Sequence, residues 1–255
     1  MKLKQAIVLL STVISLFGIY WINAGKTSLK RTGDVAGREE IINYALPPGF
    51  IFSIWGVIYL GFLVYALYGL KQKAGVHPFF AQNAYLVAIS ISFNLVWIIL
   101  VGLELWLAAY PLQWIMLAVA ILLILRFEMY KDKKSSTQKW LSIPFAMYAG
   151  WLTVAMIPFT SDLLNKSGWN YAPFTALTWA IIISVAACLI IFFAYRKIKN
   201  PFYIFPLAWA LFGYFIRFDG ELKIAAGLLM VIVLGYMIFQ MPRFFRNYRT
   251  TFLTP

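Results

Sequence analysis

The stretch Pro47-Pro48-Gly49-Phe50-Ile51-Phe52-Ser53-Ile54-Trp55-Gly56-Val57-Ile58-Tyr59 decides how this chain is read. Two prolines, which cannot donate a backbone hydrogen bond, stand where a helix would begin. The apolar run Phe50–Leu70 follows without a single charge. Within it Phe52, Trp55, Tyr59 and Phe62 recur at steps of three and four residues, a spacing that predicts one shared helical face. An uncharged run of about 20 residues is long enough for a helix to cross the hydrocarbon core of a bilayer.

Outward from this segment the rest of the chain repeats the pattern. Of 255 residues, 62% are hydrophobic and 12% charged, whereas a soluble domain carries about 25% charge. Eight candidate spans cover nearly the whole length: Gln5–Ile22, Phe50–Leu70, Ala81–Leu103, Leu107–Phe127, Trp140–Phe159, Phe174–Tyr195, Pro201–Phe218 and Leu222–Gln240. The seventh is short and holds Pro206. The predicted fold class is therefore all-α: a polytopic integral membrane bundle of about eight helices with no room for a soluble domain.

The net charge of +13 does not require nucleic acid as a partner, because basic residues accumulate on the cytoplasmic side of membrane proteins. With eight spans and a cytoplasmic N-terminus, the inside segments hold Lys2, Lys4, Lys71, Lys73, Arg126, Lys131, Lys133, Lys134, Lys139, Arg196, Lys197, Lys199, Arg243, Arg246 and Arg249. The outside keeps Lys26, Lys30, Arg31, Arg38, Lys166, Arg217 and Lys223. This bias places both termini in the cytoplasm and favours an even number of crossings. Lys2 and Lys4 before an apolar run also suit a signal peptide, but no clean small-x-small site follows, and a retained first helix is expected. Cys188 is the sole cysteine, so no internal disulfide is available.

Catalytic constellations are nearly missing from the sequence. His77 is the only histidine and lies in a loop, which rules out a site with two imidazole ligands. Glu104, Arg126, Glu128, Arg217, Asp219 and Glu221 fall at span ends, so no ionisable pair marks a proton or ion path in mid-membrane. No phosphate loop or nucleophile motif occurs, and the expectation is a protein that is not an enzyme, with no metal and no resident cofactor. The connection Asn23–Leu46 is long enough to be a lid or binding loop. The second long connection, Met129–Gln138, is basic and reads as a loop facing anionic lipid.

What remains is aromatic: 10 Trp, 15 Tyr and 22 Phe. Trp21, Trp106 and Trp169 lie at span ends and suit an interfacial belt. Trp55, Trp97, Trp151, Trp179 and Trp209 lie deeper, where each indole N–H needs a partner. They would line a cavity for a flat apolar molecule or form a packed core. Two more clusters join the first. Asn94 and Trp97 follow Ser90 on the third span, and Pro144-Phe145-Ala146-Met147-Tyr148-Ala149-Gly150-Trp151-Leu152-Thr153-Val154-Ala155 opens the fifth. Gly150 would let another element approach closely.

These three clusters, on spans two, three and five, resemble the TspO/MBR family, the tryptophan-rich sensory proteins related to the translocator protein or peripheral benzodiazepine receptor. Pro47, Pro48, Trp55-Gly56 and Tyr59 are similar to its proline pair and Trp-x-x-x-Tyr. Asn94 and Trp97 are similar to its Asn-x-x-Trp, and Pro144, Phe145, Tyr148, Thr153 and Val154 to its fifth-helix pattern. The proline pair stands one residue nearer Trp55 than in short members. Phe145 replaces a tyrosine, Tyr148 a tryptophan and Met156 an asparagine. The resemblance covers Gln5–Phe159 and implies a five-helix membrane core over residues 1–160, followed by three added helices and a basic tail over 161–255. That is the pattern of a longer, bacterial-type branch.

The resemblance implies a receptor or sensor that binds a flat hydrophobic ligand, a tetrapyrrole such as porphyrin or haem, or a sterol-like lipid. The alternative is a transporter or export accessory for such molecules. Carried over residue by residue, the ligand site would comprise Trp55, Tyr59, Asn94, Trp97 and Tyr148. Trp151, one turn from Tyr148, joins them by helical spacing. Lys30, Arg31 and Arg38 of the first loop are the cations nearest to hand for ligand carboxylates. Expected partners are the lipid bilayer and the ligand, with no nucleic acid; the resemblance also allows a homodimer. The expected location is the bacterial plasma membrane.

Overall fold

Apolar runs this long bury every backbone polar group by closing their own hydrogen bonds, and in a bilayer only helices do so within one segment. The computed structural model describes residues 2–32, 46–71, 77–129 and 136–246 and contains no strand among them. Its helices are α1 (Lys2–Asn23), α2 (Ile54–Gly69), α3 (Pro78–Ala81), α4 (Ala84–Gly102), α5 (Trp106–Met129), α6 (Ser136–Lys166), α7 (Ala176–Ile198), α8 (Phe205–Arg217) and α9 (Gly220–Arg246). Two 3-10 turns, Gly49–Ser53 and Pro201–Tyr203, precede α2 and α8. Of the basic residues singled out from sequence, Arg38, Lys73, Lys131, Lys133, Lys134 and Arg249 lie outside the described residues.

Seven described helices are long and apolar enough to cross a membrane. The eighth candidate does not reach that length. Pro201–Phe218 resolves into a turn and the 13-residue α8, about 20 Å of helix against a core about 30 Å thick. The reason is local: Pro201 and Pro206 both deny a backbone donor at the start, leaving a turn where a first helical turn would be. The aromatic face predicted for one helix also begins differently. Phe52 lies in the 3-10 turn, because the chain enters from Pro48 in an extended conformation (φ −62°, ψ 153°) and tightens through the Ile51 N–H to Pro48 carbonyl bond of 3.0 Å before α2 starts.

The chain forms two compact units. The first holds α1, the segment after it, α2 from Trp55, α3, α4, α5 and α6 as far as Phe145. Here α1 runs parallel to α4: Lys4 lies over the Tyr85 ring, and Gly18 leaves room for Leu95, whose Cδ1 would stand 2.7 Å from a Cβ at that position. Gly61 of α2 does the same for the Pro144 ring of α6. One end of the unit is an aromatic core of Phe62, Tyr65, Phe79, Phe127 and Phe145, all buried. Phe79 and Phe127 stack with centroids 4.5 Å apart, and Phe145 lies 4.9 Å from Phe62, Tyr65 and Phe127. Such pairs contribute about 0.5–1.5 kcal/mol each beyond their buried area. In lipid, where burial itself gives no hydrophobic gain, this packing is what holds helices together.

The second unit holds the Pro47-Pro48 segment and its turn, α6 from Ala146, and α7, α8 and α9. Its centre is α8. The Phe202 ring meets Phe244 at 6.0 Å, while Phe215 reaches Gly227, so α8 and its turn run antiparallel to α9. Tyr195, near the end of α7, meets Tyr236 at 5.5 Å, ten residues before the end of α9, so α9 continues past the end of α7 by about two turns. Gly150 of α6 sits directly against the Tyr203 carbonyl, and Thr153 Oγ1 shares a 3.0 Å hydrogen bond with the Tyr203 hydroxyl.

Candidate functional site

In the first unit, α2 and α4 bring three of the expected ligand residues together. Trp55 and Tyr59, one turn apart on α2, stack with centroids 5.1 Å apart and an interplanar angle of 24°. Tyr59 and Trp97 both pack against the buried trio Ile19, Ile22 and Ile98. All three aromatic side chains are half-buried, so each keeps part of its surface uncovered by this chain. Asn94 is different: it is buried, and its Nδ2 donates to the Ser90 carbonyl of its own helix at 2.9 Å.

The segment after α1 folds back over this cluster. Leu29 packs on the same trio, and the Lys30 N–H donates to the Gly102 carbonyl at 3.2 Å. The missing side chain of Gly102 makes the approach possible, since a Cβ there would lie 3.0 Å from the Lys30 carbonyl oxygen. Asn23 pins the other side: its Oδ1 accepts from the Thr32 N–H at 3.2 Å. Lys30 Nζ is paired with Glu104 at 2.5 Å, with 44% and 33% of the two side chains exposed. Lys30 is thus already opposed by a carboxylate, on a surface where such pairs are worth about 0–1 kcal/mol.

Tyr148 and Trp151 belong to the second unit. They are 0% and 2% exposed, and Trp151 meets Phe52 edge-on at 5.7 Å. Protein covers both, so neither offers a face to a small molecule without side-chain movement. The remaining deep tryptophans are tied to the backbone. Trp209 Nε1 donates to the Ile51 carbonyl at 2.7 Å and Trp179 Nε1 to the Tyr171 carbonyl at 2.8 Å. His77 is a helix cap, its Nδ1 accepting from the Phe79 N–H at 3.1 Å, with Gln138 Nε2 2.9 Å from its other ring nitrogen. Among the described residues no three His, Cys, Asp or Glu side chains gather where a metal ion would sit.

Sequence reasoning missed two features. The first is that α8 holds the proline segment: Arg217 donates to the Leu46 carbonyl at 2.7 Å, and Gly213 lies against Pro48 and Ile51. Gly213 was the available signal, one small residue among large ones. The second is a crevice of the second unit between α6, α7 and α8, lined by Val154, Ile157, Ala180, Ser184, Leu211 and Tyr214.

A bundle of long apolar helices, with aromatic side chains shared between two helices and a pinned loop over them, defines an integral membrane protein of the polytopic helical class. The family model described as TSPO-like protein matches residues 5–239, and the chain belongs to that family. The match runs through α7 and α8 and most of α9. No curated protein and no solved structure matches the chain.

Proposed function

We propose that this protein is a membrane receptor or sensor for a flat hydrophobic ligand, of the tetrapyrrole or sterol-like kind, recognised at the cluster of Trp55, Tyr59 and Trp97. The observation that carries the reading is the stacked, half-buried Trp55–Tyr59 pair beside Trp97, under the pinned segment Leu29–Thr32. A planar ligand gains by stacking on such rings. Asn94, one turn before Trp97, supports the helix from which Trp97 projects. Tyr148 and Trp151 enter the reading as residues that must move if they are to touch a ligand. The membrane is the bacterial plasma membrane, with both termini cytoplasmic, in keeping with the bias of basic residues toward one side. The antiparallel course of α8 supports a return crossing there despite its length.

The test is quenching of tryptophan fluorescence by protoporphyrin IX in the detergent-solubilised full chain, comparing wild type, Trp97→Phe and Trp209→Phe. Saturable quenching at micromolar porphyrin, weakened several-fold in Trp97→Phe and kept in Trp209→Phe, is the expected result. Non-saturable quenching of equal strength in all three proteins means partition into micelles and overturns the reading. If binding holds, porphyrin efflux from proteoliposomes separates a transporter from a sensor.

A further inference from the structure

The basic residues toward the ends of α7 and α9 are explained in part by topology, but topology does not dictate that these two helices pack on each other there. The end of α7 packs on α9 about two turns before the basic residues of α9. Tyr236 of α9 packs on Phe192 at 5.2 Å and on Tyr195 at 5.5 Å. Arg243, seven residues and two turns further along α9, lies on the same helix face as Tyr236 and so on the side of α9 that meets α7. Arg196 and Lys197 follow Tyr195 directly, and Lys199 closes α7 in a left-handed turn (φ 55°), its N–H donating to the Tyr195 carbonyl at 2.7 Å. All four cations are exposed.

Arg243 is also held in place. Its guanidinium donates to Oε1 of Gln240, a buried side chain, at 3.3 Å and lies over the Phe239 ring at 4.8 Å. Among the described residues of this unit, no carboxylate opposes the group. The described acids there are Asp162, Asp219 and Glu221, which sit at the far ends of α6, α8 and α9. One to two turns before Arg196 and Lys197, α7 exposes Leu189, Ile190 and Phe193, and one turn before Arg243, α9 exposes Ile238 and Phe239.

Exposed cations on two packed helices and bare apolar faces beside them make one composite surface. We infer that the end of α7 and the face of α9 around Arg243 bind an acidic glycerophospholipid of the surrounding bilayer, its phosphate held by Arg196, Lys197 and Arg243 and its acyl chains lying on the exposed apolar faces of the two helices. Guanidinium suits phosphate because it presents a planar fork of donors. Each cation near an anionic headgroup is worth roughly fivefold in affinity. This site lies on the second unit and does not depend on the aromatic cluster of the first.

The experiment is a titration of the detergent-solubilised full chain with acyl-labelled phosphatidylglycerol, read by fluorescence anisotropy, with acyl-labelled phosphatidylcholine in parallel. Saturable binding of phosphatidylglycerol, and at least tenfold weaker binding of phosphatidylcholine, is expected. Arg243→Gln with Lys197→Gln should weaken phosphatidylglycerol roughly twenty-fold. Lys26→Gln with Lys71→Gln removes the same charge elsewhere and should leave the affinity unchanged. Equal loss in both double variants would mean that only net charge matters and would overturn the site. Equal affinity for the two lipids would overturn it as well. Displacement of the lipid by millimolar inorganic phosphate would point to a small-anion site in place of a lipid one. Should either variant fail to fold, the wild-type protein decides the question alone: a preference for phosphatidylglycerol that is lost at high salt supports the site, and no preference overturns it.

Discussion

At Gly150 the side chain is a single hydrogen because the Tyr203 carbonyl oxygen and the Pro206 ring occupy the space a Cβ would need. The obstacle is backbone, which cannot swing aside as a side chain would. Gly150→Ala should therefore lower stability by about 1–3 kcal/mol, the usual cost of overpacking, read as a lowered thermal midpoint in detergent. Trp209 is a different case. Its N–H reaches the Ile51 carbonyl, 158 positions away in sequence. Trp209→Phe keeps the ring and removes the donor, at an expected cost of about 1 kcal/mol; a larger loss would mean that the bond also holds the proline segment in place. Gly150 was legible from its sequence as a point of close approach. What approaches it was not, because nothing near residue 150 encodes Tyr203.

α2 shows how one helix separates glycines that sequence treats alike. At Gly56 a Cβ would meet nothing within 4 Å, whereas at Gly61 it would strike the Pro144 ring. Gly56→Ala should raise stability by up to about 1 kcal/mol through helix propensity. Gly61→Ala should lower it by about 1–3 kcal/mol through overpacking. Opposite shifts in the thermal midpoints of the two variants are the check; equal shifts would contradict the α2–α6 contact. The aromatic stripe on α2 is likewise divided by its surroundings. Phe62 is buried against Phe145, while Trp55 and Tyr59 stay half-open. Spacing of three and four residues put these rings on one face, but periodicity carries no information on which part of that face meets protein.

Across the whole chain, the distribution of basic residues and the course of α8 make one prediction about crossings. In a Cys188→Ser background, single cysteines at Lys71, Ser167 and Asp219 can be tested with a membrane-impermeant thiol reagent on intact cells. Ser167→Cys and Asp219→Cys should label, and Lys71→Cys only after the cells are opened. Protection of Asp219→Cys would mean that α8 does not cross, despite lying antiparallel to α9. Composition and run length by themselves determined that this chain is a membrane bundle of helices. Burying an uncharged run of about 20 residues in lipid leaves the backbone of a single segment only the helix. Motif order pointed to the family for the same reason, since the motifs are local in sequence. Only the tertiary structure decided that Trp55, Tyr59 and Trp97 share a cluster, that Tyr148 and Trp151 are enclosed, that α8 is short and grips the proline segment, and that the end of α7 packs on α9 at Tyr236. Each of these depends on which faces of distant helices pack together, a matter of shape complementarity between side chains that no local pattern records.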